Sequence, residues 1–446
     1  MTNCNGLPLT FSRLGRRNLL ADFNGGAITS DAGALLLRQV DQRIGLTAAL
    51  ANAITDPRDP AKVTHDLVTL LRQRIFAIAM GYEDGNDHDQ LRHDPLMQIV
   101  TERGIDAEKP LASPSTLCRI ENAVQRSSLA RMSAVFVEQF LAAHATAPES
   151  IILDFDATDD AVHGLQEGRF FHGYYDHYCF LPLYVFCGDQ LLCAYLRPSK
   201  IDAAKHSRAI LKLLVDRIRR DWPKTKIIFR ADSGFCRWKT LRWCDRNGVG
   251  YIVGLAKNPT LLRHAQPWTI PAAWHYERTG DKQRWFGTIA YAAGTWDRER
   301  RVIVKAEHGD KGANPRFVVT NLPGEAQMLY DGLYCQRGEM ENRIKEQQLC
   351  LFADRTSCHA FDANQFRLLL SSAAYVLLES LRRMGLKRTK LARARCDTIR
   401  LKLLKIGARV VQSVRRVVLH LATGFPLQEL FGRVLERLRH RPLAPT

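Results

Sequence analysis

Three carboxylates in three different local settings give this sequence its chemistry. Asp156 closes the apolar run Ile151-Ile152-Leu153-Asp154-Phe155-Asp156, and Asp232 closes a second, Ile227-Ile228-Phe229-Arg230-Ala231-Asp232. Glu341 lies at helical spacing from Tyr334 and Arg337. Two carboxylates at strand ends and a third from a later helix form an oxygen-rich donor set of the kind hard divalent cations take. A pair of such cations about 3.5–4 Å apart can hold both the attacking and the leaving oxygen of a phosphodiester. The chemistry this set suits is the cutting or joining of nucleic acid.

Each acid also has a plainer role open to it. Asp154 and Asp156 stand two apart in a strand, so both point to one face. Either can cap the following turn, and Asp232 can do the same before Ser233-Gly234. The functional reading rests on position, because ligands of open α/β sheets gather at the carboxyl ends of strands. The helix is more specific. At about 100° per residue, Tyr334, Arg337, Glu341 and Gln348 share one stripe. On it Glu341 can reach a metal while Arg337 makes a bidentate phosphate contact; the plain alternative is a solvated Arg337–Glu341 pair. Lys345 and Glu346 are assigned to the solvated side.

The elements that position these groups follow from hydrophobic rhythm. Residues 30–145 read as mostly helical, interrupted at Gly81–Asp89 by turn formers. Ser113-Pro114 opens a further helix that could serve in a helix-turn-helix. From Glu149 the rhythm becomes that of strands: Ile151–Phe155, then Tyr178–Cys187 and Leu191–Arg197 across a hairpin signal at Gly188-Asp189. Helix and strand then alternate, which predicts a mixed sheet covered by helices. Residues 260–322 hold four of the seven tryptophans, Trp268, Trp274, Trp285 and Trp296, and read as an inserted β-rich subdomain. Met328–Leu351 and Asn364–Met384 return to helix.

Composition narrows the class. With 446 residues, 46% of them hydrophobic, the chain can bury a core in two or three domains. Its formal charge of +18 calls for a polyanionic partner. From Leu381 to Thr446, 17 Lys and Arg stand against three acids, so most of the excess is concentrated there. That segment also has an apolar helical rhythm from Ile399 to Val417, which predicts basic helices facing a DNA backbone. Eleven cysteines with no Cys-x-x-Cys pair, and no apolar core for export in the first twenty residues, point to free thiols in the cytoplasm. No apolar run reaches the length of a membrane span.

Tyr334-x2-Arg337-x3-Glu341 resembles the start of the Tyr-Arg-Glu-Lys signature of DDE insertion-sequence transposases. Asp156-Ala157-Thr158 and Arg230-Ala231-Asp232-Ser233-Gly234-Phe235 resemble their first and second catalytic motifs. Gly81-Tyr82-Glu83-Asp84-Gly85, Asn342-Arg343-Ile344-Lys345-Glu346 and Asp354-Arg355-Thr356-Ser357 extend the likeness to the insertion-sequence thirteen-eighty family over essentially the whole chain. One departure stands out: Gln348 occupies the place of the signature lysine, and Lys345 is the nearest substitute.

The resemblance implies an α/β, ribonuclease-H-like catalytic core of the retroviral-integrase superfamily, with a β-rich insertion and flanking helical regions. It implies end recognition by residues 1–147, a core split between 148–259 and 323–375 around the insertion 260–322, and a basic helical region at 376–446. It also implies two Mg2+ ions, with Mn2+ able to substitute, held by Asp156, Asp232 and Glu341, with Asp154 as a further candidate. Tyr334, Arg337 and Lys345 would contact DNA, and Trp285 or Trp296 would stack on an extruded base unless they pack within the β-rich part. The expected activity is cleavage of element ends and transfer of 3′-hydroxyl strands into target double-stranded DNA, by a dimer on DNA. A metal-dependent nuclease without strand transfer, or an inactive DNA-binding descendant, are the alternatives.

Overall fold

Apolar runs rich in β-branched and aromatic residues dictate the centre of the fold. In the computed structural model, which describes residues 8–105 and 109–439, one compact unit holds Gln125–Leu349 and Ala353–Ser372. Its chain runs α1 (Arg126–Ala142), β1 (Ser150–Ala157), β2 (Leu183–Cys187), β3 (Gln190–Tyr195), α2 (Ser207–Asp221), β4 (Lys226–Ala231), α3 (Trp238–Arg246) and β5 (Gly250–Leu255). It continues through α4 (Pro259–Thr279), β6 (Gln283–Tyr291), β7 (Arg300–Gly309), β8 (Arg316–Thr320) and α5 (Gly338–Leu351). Nine strands form one mixed sheet in the order β6-β7-β8-β5-β4-β1-β2-β3, with the short strand Gly312–Ala313 beside β7. β4 runs parallel to both β1 and β5, and the remaining pairs are antiparallel.

Strand alternation sends successive side chains to opposite faces. Ile151, Leu153 and Phe155 of β1 join Ile227, Phe229 and Ala231 of β4 in the larger core, packed by apolar residues of α1, α2, α3 and α4. The intervening positions face the other way, where Ile252, Ile303 and Val318 meet Tyr330, with Ile228, Leu333 and Tyr334 at the margin. Asp154 and Asp156 lie on this second face, as do Arg230 and Asp232. The segment that carries the Tyr-Arg-Glu residues therefore packs on the face where the carboxylates emerge.

The stretch 260–322 holds a helix as well as strands. Its first third is the helix α4, which contains Pro267 and Pro271, and β6, β7 and β8 extend the central sheet. The β5–β8 pairing joins these three strands to the core.

The other unit holds residues 1–124 and 373–446, as far as they are described, with Cys350–Phe352. Helices Ala34–Ile44, Leu67–Met80 and Pro114–Ala123 are among its elements, and an antiparallel hairpin, Leu9–Leu14 with Arg17–Ala21, precedes them. The basic segment expected to be helical contains a hairpin instead, Ala408–Gln412 with Val417–Leu421, and Ile28–Thr29 adds a third strand. The β-branched pairs Val410-Val411 and Val417-Val418 prefer the pleated surface over a helix, and Ser413–Arg416 closes the turn with a 2.8 Å hydrogen bond from Ser413 N to Arg416 O. Cys396–Ile399 and Arg400–Leu404 are wound as an α- then a π-helix, and Gln428–Arg439 is a basic amphipathic helix, as expected there. Among the described residues no helix is long and apolar enough to cross a membrane, and no described cysteine is in a disulfide.

Candidate active site

Register brings the two aspartates together. Ala231 pairs with Phe155 across the parallel β4–β1 ladder, so Asp232 and Asp156 stand one step beyond that pair, side by side at the carboxyl ends of neighbouring strands. Asp232 accepts a 2.9 Å hydrogen bond from Gly234 N and caps the short turn Ser233–Phe235. Asp156 accepts one from Ala157 N at 2.9 Å. Each of these bonds uses one carboxylate oxygen, Oδ1 in both residues.

The third carboxylate arrives on an irregular helix. Leu329–Tyr334 is wound as a π-turn and Cys335–Arg337 as a 3-10 turn before α5 begins at Gly338. A uniform 100° step therefore does not describe the signature, and such departures from α geometry recur at functional sites. Arg337 is the hub. Its Nη1 lies 3.1 Å from Asp156 Oδ2 and its Nη2 lies 2.7 Å from Glu341 Oε1. Tyr334 enters over β5, where Gly254 makes room: a Cβ there would stand 2.6 Å from the Tyr334 hydroxyl and 2.8 Å from Ser233 N.

The electrostatics register how tightly these acids are gathered. Burial pushes the Asp156 carboxyl up to about 7, opposed by Arg337 and reinforced by Asp232 and Glu341. Burial disfavours the charged Arg337, but Asp156 and Glu341 outweigh it and hold the guanidinium above its usual range. The donor set suits a hard divalent ion in type: three carboxylates, one of them short of positive charge. Among the described residues, however, no group of three or more His, Cys, Asp or Glu side chains is arranged to hold a metal ion. The Arg337 guanidinium stands where a cation between Asp156 and Glu341 would be.

Other singled-out residues separate into roles. Both oxygens of Asp154 are taken by Arg230, one through Nη2 at 2.6 Å and one through Nε, in a pair that is almost wholly buried. Gln348 donates to Asp159 O at 3.0 Å and to Asp160 Oδ1 at 2.8 Å, so it ties α5 to the turn that follows Asp156. Lys345 is exposed as expected, whereas Glu346, expected in solvent, is buried against Arg343 at 2.7 Å. Trp296 packs against the larger core with Arg300 over its ring at 5.5 Å. Trp285 lies against His275 with ring centroids 5.3 Å apart, and Trp274 is the half-exposed tryptophan.

Arg230 is the residue whose importance the sequence reading missed. Beyond Asp154 it donates to Leu333 O at 2.5 Å, which holds the π-turn against the sheet one residue before Tyr334. A buried arginine two residues before a candidate ligand was the available signal. Gly254 was missed as well, since only the β4–β5 pairing reveals what it faces.

A family model described as a transposase DDE domain, group 1, matches residues 11–443 of the chain. Among solved structures the chain is similar to one described as a cryo-EM structure of the piggyBac transposase synaptic complex with hairpin DNA. That match has a TM-score of 0.44 and 11% identity, and covers 93% of this chain and 83% of the other. No curated protein matches it.

Proposed function

Because the chain belongs to the transposase DDE domain family, group 1, we propose that it cleaves the ends of an insertion sequence and joins the freed strands to target DNA. The observation that carries this reading is the Asp156–Arg337–Glu341 bridge beside Asp232. Asp156, Asp232 and Glu341 would hold two divalent ions, Mg2+ with Mn2+ as a substitute. Ions bound there supply charge neutralisation at the phosphoryl oxygens and a nucleophile at neutral pH.

The chain's own groups do the rest. Arg337 carries two donors in a planar fork and passes from the carboxylates to a phosphate of the bound strand. Tyr334, held over Gly254, orients the nucleotide beside Asp232. Arg230 and Asp154 fix the sheet and the π-turn so that these positions do not drift. In the first step water attacks a phosphodiester, the P–O3′ bond breaks, and a 3′-hydroxyl and a 5′-phosphate result. That hydroxyl then attacks a target phosphodiester and displaces the target's own 3′-hydroxyl. Joining two ends calls for at least a dimer on double-stranded DNA.

The parallel pairing of β1 and β4, with acids at both ends, supports a ribonuclease-H-like core, and the motifs quoted above support membership of the insertion-sequence thirteen-eighty family. A cavity of about 620 Å³ lined by residues that include Arg58, Lys62, Arg92, Arg103 and Arg119 supports phosphate contact by the N-terminal region. The test is strand joining with pre-cleaved ends in Mg2+. The wild type should join them, and Asp232→Asn should lose both cleavage and joining. Cleavage without joining would make the protein a nuclease, and unchanged excision by Asp232→Asn would remove the carboxylates from the mechanism.

A further inference from the structure

The basic segment near residue 410 carries part of its charge on a hairpin whose tip neither turn chemistry nor packing explains. Ala408–Gln412 pairs antiparallel with Val417–Leu421. Ser413 and Arg416 close a two-residue turn by exchanging N–H···O bonds of 2.8 and 3.3 Å. Tight hairpin turns favour Asn-Gly or other glycine-containing pairs. Here the two tip residues are Val414 and Arg415. Val414 is fully exposed, and Arg415 and Arg416 beside it are exposed as well. A β-branched side chain and two guanidinium groups held in water at a tip add nothing to the packing.

The base of the hairpin is anchored and its outer half stands clear. Ala32, Ile406 and Ala408 form a small core, packed by Leu419, Leu421 and Phe431. Val410 is buried, and Ala408 also pairs with Thr29 of the third strand. Beyond Val410, every residue from Val411 to Val418 is exposed. Val411 and Val418 face each other across the ladder, 42% and 38% exposed. Between Thr398 and Gln428 the sequence has six Lys and Arg and no acid. These features make an arm with a packed root, a cationic and partly apolar shaft, and an apolar point beside two guanidinium groups.

We propose that this arm sets its tip in the minor groove of double-stranded DNA and reads A·T-rich sequence there. The proposal rests on the transposase reading for DNA as the partner, but it goes beyond basic helices lying along a DNA backbone. Backbone contact positions a protein, whereas groove contact carries sequence information. A two-stranded ribbon is broad for a groove about 6 Å wide, but a two-residue tip is not. Narrow A·T minor grooves concentrate negative potential that draws in arginine side chains. Apolar side chains wedge against base steps at such sites, the part Val414 is placed to play. A second copy of the chain docked on the valines would set like charges face to face, whereas DNA neutralises them.

The test uses the full chain without divalent metal and duplexes of one length built from A·T, G·C or inosine·C pairs. Inosine·C keeps the major-groove acceptors of G·C but lacks the guanine amino group, so its minor groove resembles that of A·T. Binding is read by fluorescence anisotropy across a salt series. Wild type should bind the A·T and inosine·C duplexes about tenfold more tightly than G·C. Arg415→Ala/Arg416→Ala should lose that preference and lower the salt slope by about two, while backbone-driven binding persists. Val414→Asp keeps both arginines and should weaken A·T and inosine·C binding more than G·C binding. All three side chains are exposed, so the urea midpoint should stay where it is. Equal affinity of the wild type for inosine·C and G·C would overturn the proposal, as would an undiminished preference in the double variant. A change in self-association of that variant with duplex binding unaltered would do so too. Cleavage of element ends is followed separately in Mg2+. A preference without cleavage sinks the transposase reading and leaves the arm; cleavage without a preference sinks the arm alone.

Discussion

At the scale of single residues, the site is organised by one cation among acids. Arg337 spans Asp156 and Glu341 with separate nitrogens, which a lysine, being a point charge, cannot do. Arg337→Lys should therefore lower strand cleavage on the order of 10²-fold, the scale of losing one preorganised donor, with little change in urea midpoint. Gly254→Ala should displace Tyr334 or the Asp232 turn and cost about 1–3 kcal/mol, read as a lower unfolding midpoint accompanied by lost cleavage. His88 gives a pH signature. It is fully buried beside Gln73 and Arg74, and burial, with Arg74 adding, lowers its pKa to about 3. The unfolded chain takes up its proton near pH 6.5, so the stability this group leaves intact at pH 7 is lost as pH falls towards 3. By pH 5 the loss should reach about 2 kcal/mol, and His88→Gln should flatten that part of the profile. The place of Asp156 and Asp232 at strand ends was legible because hydrophobic rhythm followed by an acid is a local pattern. The Arg230–Asp154 pair was not, because it depends on a register that joins residues 76 apart.

At the scale of elements, local propensity and tertiary context part company in two places. Between Met328 and Leu351 the apolar spacing announced a helix, and a helical path exists, but it passes through a π-turn and a 3-10 turn at Tyr334 and Arg337. Gly332 and Gly338, both poor helix formers, lie at the change of winding. The change of winding comes with Arg230, which takes the Leu333 carbonyl from the opposite side, and with Tyr334 seating over a glycine. Ile399 to Leu404 is helical as its spacing announced, but from Ala408 onward the adjacent β-branched pairs Val410-Val411 and Val417-Val418 favoured strands. The same scale explains Gln348. Its carboxamide donates to the Asp159 carbonyl and to Oδ1 of the fully buried Asp160, whose carboxyl burial raises well above its usual range. Gln348→Ala strips a donor from buried acceptors and should cost about 1–3 kcal/mol, measured by urea unfolding. The place where a signature lysine is missing is therefore filled by a structural hydrogen bond.

At the scale of the molecule, the unit outside the central sheet is assembled from segments far apart in the chain. Ile28–Thr29 pairs with Ala408–Gln412, Ala32 N donates to Ile406 O at 3.0 Å, and Lys405 lies 2.7 Å from Asp31. A chain ending at residue 404 lacks all three contacts. Limited proteolysis of such a truncation should show rapid cutting near residue 28, while the sheet of residues 150–320 stays protected. The union of these distant segments sets an order on biosynthesis. A ribosome adding 5–20 residues each second makes the ~380 residues between Thr29 and Ala408 in about 20–80 s. Throughout that interval Ile28–Thr29 lacks this partner, and β1 to β8 are made within it. The nascent protein thus passes through a stage with its central sheet complete and its terminal unit still open, and only the last stretch of translation can close it.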